Sequence, residues 1–383
     1  MATRLHPETD ALGIRAGGFL IFPKVTVDEG VNDNIYATNG GTVSDLVTVV
    51  NPQVMARSDW NNHSATVSAS ESHSVYAGHA TENTDDYTIA GTGRLDIARD
   101  GTLSVNAGYS RLHEPRTSPD NTFGKTPTAY SLGSLGVRTY DKFNRLSIGF
   151  DTAAQKYEYT DVPTSVGDFI QQKDRDRWEL SQAVRAGYEI VPEYEAFVRA
   201  AVDDRAYAHA VDSTGFRHSS VGGDIRAGLT IDLTGLTFGE IGVGYLTRRY
   251  DDPRFSPVQG PSALIGLTWN ATPLITVRLD GARTVEEAVV VGASGMVRTA
   301  GSVTIDHELL RQLVLDARFG VAADQYRGIT QHQVTLTGDF AATYRFDHNV
   351  YGTVKFTRTS CDSSNQINTF TQNIAIVRVS LQL

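Results

Sequence analysis

Charged side chains recur at two-residue intervals in this sequence, inside segments whose other face is apolar. Because successive side chains of a β-strand point to opposite faces, the polar members of such a segment share one surface. Guanidinium, ammonium and carboxylate groups on the inner wall of a water-filled barrel select solutes by charge. We therefore predict an aqueous lumen lined by Arg185, Arg199, Asp224, Arg226, Arg278, Asp280, Arg298, Asp316, Arg318, Asp339, Arg345, Lys355 and Arg378.

Catalytic and cofactor-binding motifs are absent from the sequence, which lacks HExxH, GxSxG, Walker A and paired CxxC patterns. His209 and His218 flank one predicted loop, but no obvious third or fourth ligand accompanies them, as a zinc site would require. We expect a protein that is not an enzyme and that binds no metal or cofactor. A hydrolase at the barrel rim stays an alternative, because Ser, His and Asp are plentiful in the predicted loops.

The composition favours β-structure and argues against several other classes. The 383 residues include 35 Gly, 16 Tyr and 15 Phe but only 12 Pro, and no apolar run reaches the ~18 residues of a transmembrane helix. A net charge of -10 argues against a nucleic-acid partner. The single cysteine, Cys361, excludes an internal disulfide framework and a cysteine-based metal site.

Apolar and polar residues alternate from about residue 17 to the end of the chain. In one example Val334, Leu336 and Phe340 share a face, whereas Thr335 and Asp339 share the opposite face. The same pattern recurs in segments 178–190, 221–233, 275–281 and 313–323. Such alternation predicts long strands and does not fit the period of a helix.

The connectors between these segments alternate between eight short turns and nine long polar loops. This asymmetry is typical of a transmembrane antiparallel up-and-down β-barrel, so we predict an all-β fold with about 18 strands and with both termini on the short-turn side. Sixteen strands are the alternative, if the first hairpin lies outside the wall or two short strands merge. A soluble propeller or double sandwich is disfavoured, because the runs are long and no blade repeat is visible.

The two ends of the chain differ in character. Residues 1–16 are predicted to be a polar periplasmic lead-in, and residues 17–383 the barrel, with a first strand over 17–27. The first residues contain no apolar core of a signal peptide, so we expect a leader to have been removed or missed. The last strand has Val377, Val379, Leu381 and Leu383 on one face. It looks like the carboxy-terminal signal read by the outer-membrane assembly machinery, although such signals usually end in an aromatic residue.

The segment 4–38 contains Gly13-Ile14-Arg15-x-Gly17-x-Phe19, then Phe22-Pro23 and Asp33-Asn34-Ile35-Tyr36. It resembles the start of the beta-barrel porin 2 family of alphaproteobacterial outer-membrane proteins. The resemblance implies an outer-membrane location and a cleaved signal peptide. Family members are often linked with export of capsular or extracellular polysaccharide, so the resemblance also implies polysaccharide as a cargo.

These observations together predict a porin-like channel that passes polar solutes, with polysaccharide export as the cargo that the resemblance adds. The expected partners are outer-membrane lipid, lipopolysaccharide, the assembly machinery and polysaccharide, without nucleic acid. Two alternatives stay open, a structural or adhesive barrel with a closed lumen and the rim hydrolase. A long loop such as 158–174, folded inward, is expected to be able to plug the channel.

Overall fold

The computed structural model describes residues 10–97, 100–233 and 235–383, and eighteen long strands dominate it. The first nine are β1 (Phe19–Asn32), β2 (Asp45–Ser58), β3 (Ser64–Tyr76), β4 (Thr84–Asp96), β5 (Thr102–His113), β6 (Ala129–Phe143), β7 (Leu146–Tyr159), β8 (Arg177–Val191) and β9 (Tyr194–Tyr207). The others are β10 (Ser220–Leu233), β11 (Thr237–Tyr250), β12 (Val258–Thr272), β13 (Ile275–Glu286), β14 (Gly295–Leu310), β15 (Leu313–Arg327), β16 (His332–Arg345), β17 (Val350–Ser363) and β18 (Phe370–Gln382).

The sheet closes on itself to form a barrel. Each strand pairs antiparallel with the next, and β1 pairs with β18 in a register that sets Asp28 opposite Arg378. Closure leaves no long strand with an unpaired edge, as a β-structure in lipid requires. The predicted all-β barrel is confirmed, with eighteen strands rather than the alternative of sixteen.

The connections also follow the predicted asymmetry, with eight short turns at one end of the barrel and nine loops at the other. The first strand extends past its predicted end at residue 27 to Asn32, because Val31 continues the outward apolar series of Val25 and Val27. Ile14–Ala16 forms a short extra strand that pairs with the start of β1. The rest of the predicted lead-in includes residues 1–9, which lie outside the described residues.

The outer face of the barrel is apolar and exposed. Val243, Val354 and Leu336 are 65%, 61% and 56% exposed within their strands, whereas a soluble protein would bury such residues in a core. Aromatic side chains such as Trp178 and Tyr188 lie near the two ends of β8, where interfacial girdles form. No helix among the described residues is long and apolar enough to span a membrane.

Two adjacent residues of β16 allow a test of which face contacts lipid. We expect Leu336→Arg to lower the free energy of unfolding from lipid vesicles by about 1–3 kcal/mol, because it places a charge in hydrocarbon between the midplane and the interface. Thr337→Arg is the matched control, since Thr337 lines an open lumen cavity of 670 Å³. Urea titration monitored by tryptophan fluorescence measures both variants. An equal loss for the two would contradict the assignment of the faces.

Candidate functional site in the barrel lumen

All the residues predicted to line the lumen occupy strand positions whose side chains alternate with the outward apolar ones. They are Arg185 on β8, Arg199 on β9, Asp224 and Arg226 on β10, Arg278 and Asp280 on β13, Arg298 on β14, Asp316 and Arg318 on β15, Asp339 and Arg345 on β16, Lys355 on β17 and Arg378 on β18. Their role in selectivity stays a prediction.

Most of these charges form ion pairs along the wall. The pairs are Arg185 with Glu195, Arg226 with Asp224, Arg278 with Asp306, Arg298 with Asp324, Lys355 with Asp339 and Arg378 with Asp28. Such pairs satisfy charges that would otherwise be costly to shield from water. The paired groups therefore stabilise the wall, whereas Arg199 and Arg318 have no ion pair or hydrogen-bond partner among the described residues.

Sequence reasoning missed the residues of the 287–294 loop, which folds into the lumen. Its Glu287 accepts hydrogen bonds from the Arg205 guanidinium and from the Tyr207 hydroxyl on β9. Arg205 also donates to the carbonyl oxygen of Val285 at 3.0 Å. Because β9 and β13 are four strands apart, these contacts cross a sector of the lumen instead of following the wall.

A second loop, 114–128, meets the first from the opposite side. The Val289 N–H donates to Asp120 Oδ1 at 3.3 Å, and the Tyr326 hydroxyl on β15 donates to the carbonyl oxygen of Pro119 at 3.5 Å. The loop leaves from β5 and β6, about half a turn of the barrel away from β15. The two loops thus span the lumen near its long-loop end.

The loop that sequence reasoning suggested as a plug, 158–174, contributes Ile170, Gln172 and Asp174 to the lining of a lumen cavity. Segment 160–176 also contacts the 114–128 loop, where the Lys125 N–H donates to the carbonyl oxygen of Pro163 at 2.8 Å. From its end, Arg175 Nη1 donates to Glu114 Oε2 at 3.0 Å. Alternation in the strands carries no information about these contacts, so the sequence offered no signal that would distinguish between the loops.

The side chains at this level separate two cavities. A cavity of 190 Å³ lies toward the long loops, and one of 240 Å³ lies toward the strands. Both are lined by Arg175, Arg177 and Glu287, which therefore form part of the wall between them. We call these three residues, with Arg205 and Asp120, the partition.

The two carboxyl groups of the partition, Glu287 and Asp120, differ in the direction in which their surroundings shift the pKa. Burial opposes ionisation of Glu287, but Arg205 and Arg177 outweigh it and hold the pKa of the Glu287 carboxyl below its usual range. Burial raises the pKa of Asp120 to about 6, against the opposing effect of Arg175. Glu287 is therefore a fixed negative charge, whereas Asp120 titrates under mildly acidic conditions.

Histidines pair with aspartates at four places, His73 with Asp85, His79 with Asp45, His113 with Asp86 and His218 with Asp212. Within the described residues, no serine hydroxyl bonds any of these four rings. Over the same residues, no group of three or more His, Cys, Asp or Glu side chains could hold a metal ion. His209 and His218 are not brought together with further ligands in the part of the chain that the structure describes.

Glycine makes room for one lumen ion pair. A Cβ atom at Gly222 would lie 2.5 Å from Asp203 Oδ1 and 2.7 Å from Arg248 Nη2, which pair with each other there. Arg248 is only 4% exposed, so the pair has little space into which it could shift. The adjacent Gly223 faces the other way, and its Cβ would make ordinary contacts at 3.8 Å or more.

Gly222 and Gly223 thus differ in the space that is available for a Cβ atom. Gly222→Ala should destabilise the barrel by about 1–3 kcal/mol, because overpacking forces Asp203 away from Arg248. Gly223→Ala is the matched control and should stay close to wild type. Thermal unfolding in detergent, followed by circular dichroism, measures both. A Gly222→Ala variant as stable as Gly223→Ala would show that the pair is not confined as described.

Comparison with known proteins bears on the identity of this barrel. Residues 6–383 match the family described as "Putative beta-barrel porin 2", and the comparison with curated proteins finds no match. A mutant of the ferric enterobactin receptor PfeA from Pseudomonas aeruginosa is 7% identical over 98% of this chain and 81% of the receptor, with a TM-score of 0.50. OpdK from Pseudomonas aeruginosa, solved with vanillate, is 10% identical over 95% of this chain and 99% of OpdK, with a TM-score of 0.49.

The likeness to the receptor shows the barrel fold alone, at this level of identity. The family match covers nearly the whole chain and confirms the resemblance seen in segment 4–38. The chain therefore belongs to the Putative beta-barrel porin 2 family, and it is a porin-like β-barrel of the outer membrane.

Proposed function

We propose that the barrel is a passive channel that admits small polar solutes and excludes large ones. The observation that carries the proposal is the contact between the 114–128 and 287–294 loops, which cross the lumen. Large barrels leave an aqueous path, and inward loops narrow it. Size would be selected at the partition, and charge along the wall.

Carbohydrate is a second candidate cargo, and one observation favours it. The middle of the lumen face of β3 to β5 is rich in hydroxyl groups, with Ser68, Ser70, Ser72, Thr88, Thr92 and Ser110, whereas its charged residues Asp86, Arg94 and Asp96 lie toward the ends of β4. Hydroxyl groups both donate and accept, so they suit sugar hydroxyls. A polysaccharide chain would need the two loops to separate, and we therefore propose short saccharides before polymers.

We propose transport without catalysis. Unlike an adhesive barrel with a closed lumen or a rim hydrolase, such a channel must carry solutes and ions through its lumen. We also propose that outer-membrane lipid and lipopolysaccharide contact the apolar outer face, and that the assembly machinery recognises the last strand. Ion current through the purified barrel in planar bilayers tests the channel proposal, with solutes of graded size added to one side. Absence of current would favour the closed adhesive barrel. Current blocked by short saccharides would favour the carbohydrate path.

Release of the 287–294 loop should widen the path. In Glu287→Gln the charge-assisted hydrogen bonds from Arg205 are weakened, and these are worth roughly 1.5–3 kcal/mol. That shifts the docked loop toward the undocked state by about tenfold or more. We expect larger single-channel conductance.

Glu286→Gln is the matched control for this variant. Glu286 is adjacent and also lines the 240 Å³ cavity, but it accepts from Thr284 of its own strand. Equal conductance in Glu287→Gln and Glu286→Gln would contradict the role of the loop.

Acid should stabilise the contact between the loops. Burial raises the pKa of Asp120 to about 6 in the docked state, whereas the carboxyl has an ordinary pKa once the loop is in water. The docked state therefore binds the proton more readily, and its added stability is lost as the pH rises through about 6. Arg175, Glu114 and Glu287 are the charged groups around this carboxyl.

We expect single-channel closures to be more frequent below pH 6 than at neutral pH, and Asp120→Asn to lose this difference. Asp161→Asn is the control, because Asp161 lies in a loop and the pKa of its carboxyl is lowered. Closures that depend on pH to the same degree in Asp120→Asn would rule out this carboxyl as the sensor.

A further inference from the structure

Three arginines stand side by side on the lumen wall. Arg185 on β8 is in register with Arg199 on β9, and Arg199 is in register with Arg226 on β10. Adjacent strands are ~4.8 Å apart. Like charges directly opposite each other in a sheet destabilise it. A row of this kind therefore needs either counter-ions in the protein or a negatively charged ligand.

The protein supplies counter-ions to the two outer members only. Arg185 Nη1 lies 2.6 Å from Glu195 Oε1, and Arg185 Nη2 donates to Thr230 Oγ1 at 2.7 Å. Arg226 Nε lies 2.6 Å from Asp224 Oδ1. The central residue, Arg199, has no ion pair or hydrogen-bond partner among the described residues, so its five N–H donors face the lumen unused.

The row borders a cavity of 260 Å³. Its charged lining consists of the guanidinium groups of the row, that of Arg138, and the carboxylates of Asp151 and Glu240. Asp151 already pairs with Arg138. Glu195 and Asp224, which neutralise the outer arginines, are not part of this lining, so the surface that a solute meets is mainly positive.

The rest of the lining gives the cavity an apolar side. Phe197, Tyr140 and Leu264 contribute to it, and the Arg185 guanidinium lies 4.3 Å from the centre of the Phe197 ring. A planar guanidinium matches the two oxygens of a carboxylate, whereas apolar and aromatic surface suits a small organic body. The volume is below the ~300 Å³ at which pockets for drug-sized ligands begin, which suits a small ligand.

We propose that this row, centred on Arg199, is a binding site for small organic carboxylates on their way through the barrel. The inference rests on the proposed channel and adds a substrate class to it. Binding at a wall position, away from the partition, raises the local concentration of the anion without requiring either loop to move. The free guanidinium of Arg199 is the group that receives the carboxylate.

Benzoate is a suitable probe, and two arginines permit a matched comparison. In planar bilayers, benzoate should reduce the chloride current of the wild-type barrel in a saturable way. Arg199→Gln should raise the half-blocking concentration about tenfold, the value of a charge-assisted hydrogen bond. Arg318→Gln removes an arginine that also has no partner among the described residues but lines a different cavity, and it should raise the half-blocking concentration far less than Arg199→Gln does.

A thermal measurement in detergent separates this site from the channel proposal. Benzoate should raise the unfolding temperature of the wild type and of Arg318→Gln but not that of Arg199→Gln. Without benzoate, Arg199→Gln should be at least as stable as the wild type, because it relieves the like-charge row. Arg199→Lys should restore part of the benzoate effect.

The outcomes differ for the two proposals. Current that benzoate blocks equally in wild type, Arg199→Gln and Arg318→Gln would overturn the carboxylate site and leave the channel intact. Stabilisation by benzoate that depends on Arg199, in a barrel that carries no current, would overturn the channel and support the site. Loss of block in both variants to the same degree would show a general effect of lumen charge and would overturn the site.

Discussion

Hydrocarbon cannot hydrogen-bond a peptide group, and the seam of this barrel shows how the chain meets that constraint. The first and last long strands come from opposite ends of the sequence and pair from Lys24–Gln382 to Asn32–Ile374. On the lumen side of the seam Arg378 donates to both oxygens of Asp28, at 2.7 and 2.6 Å. The ion pair adds specificity to a closure that the backbone hydrogen bonds already favour.

Closure in lipid also decides where charge can go. Because the middle of the outer face must stay apolar, ionisable side chains accumulate on the inner face, where they must satisfy one another in limited space. The Asp203–Arg248 pair illustrates the consequence, since it fits only because Gly222 has no side chain. Small residues in the lumen thus provide the space that the paired charged side chains need.

The wall could be predicted from the sequence because its information is local. Alternation has a period of two, and turns such as 347–349 have recognisable chemistry, in which the Asn349 N–H donates to Asp347 Oδ1 at 2.7 Å. The length of the first strand was underestimated because a local polar stretch interrupts its apolar series. Asp28, Glu29 and Gly30 resemble a polar break, yet Asp28 faces the lumen, and Glu29 faces outward and accepts from Thr48 at 2.8 Å. The loops could not be predicted, because the contact of Asp120 with Val289 joins distant parts of the chain without a pattern.

The channel that we propose has two kinds of selective element with different physical origins. Arg185 and Arg199 are fixed by continuous strand pairing, so their spacing varies little while the barrel stays closed. Glu287 and Asp120 lie on loops, whose positions depend on a few polar contacts. Loops tolerate sequence change and motion far more readily than paired strands. In the proposed channel, selection by charge at the wall can thus persist while selection by size at the partition is adjusted, since neither set of residues holds the other in place.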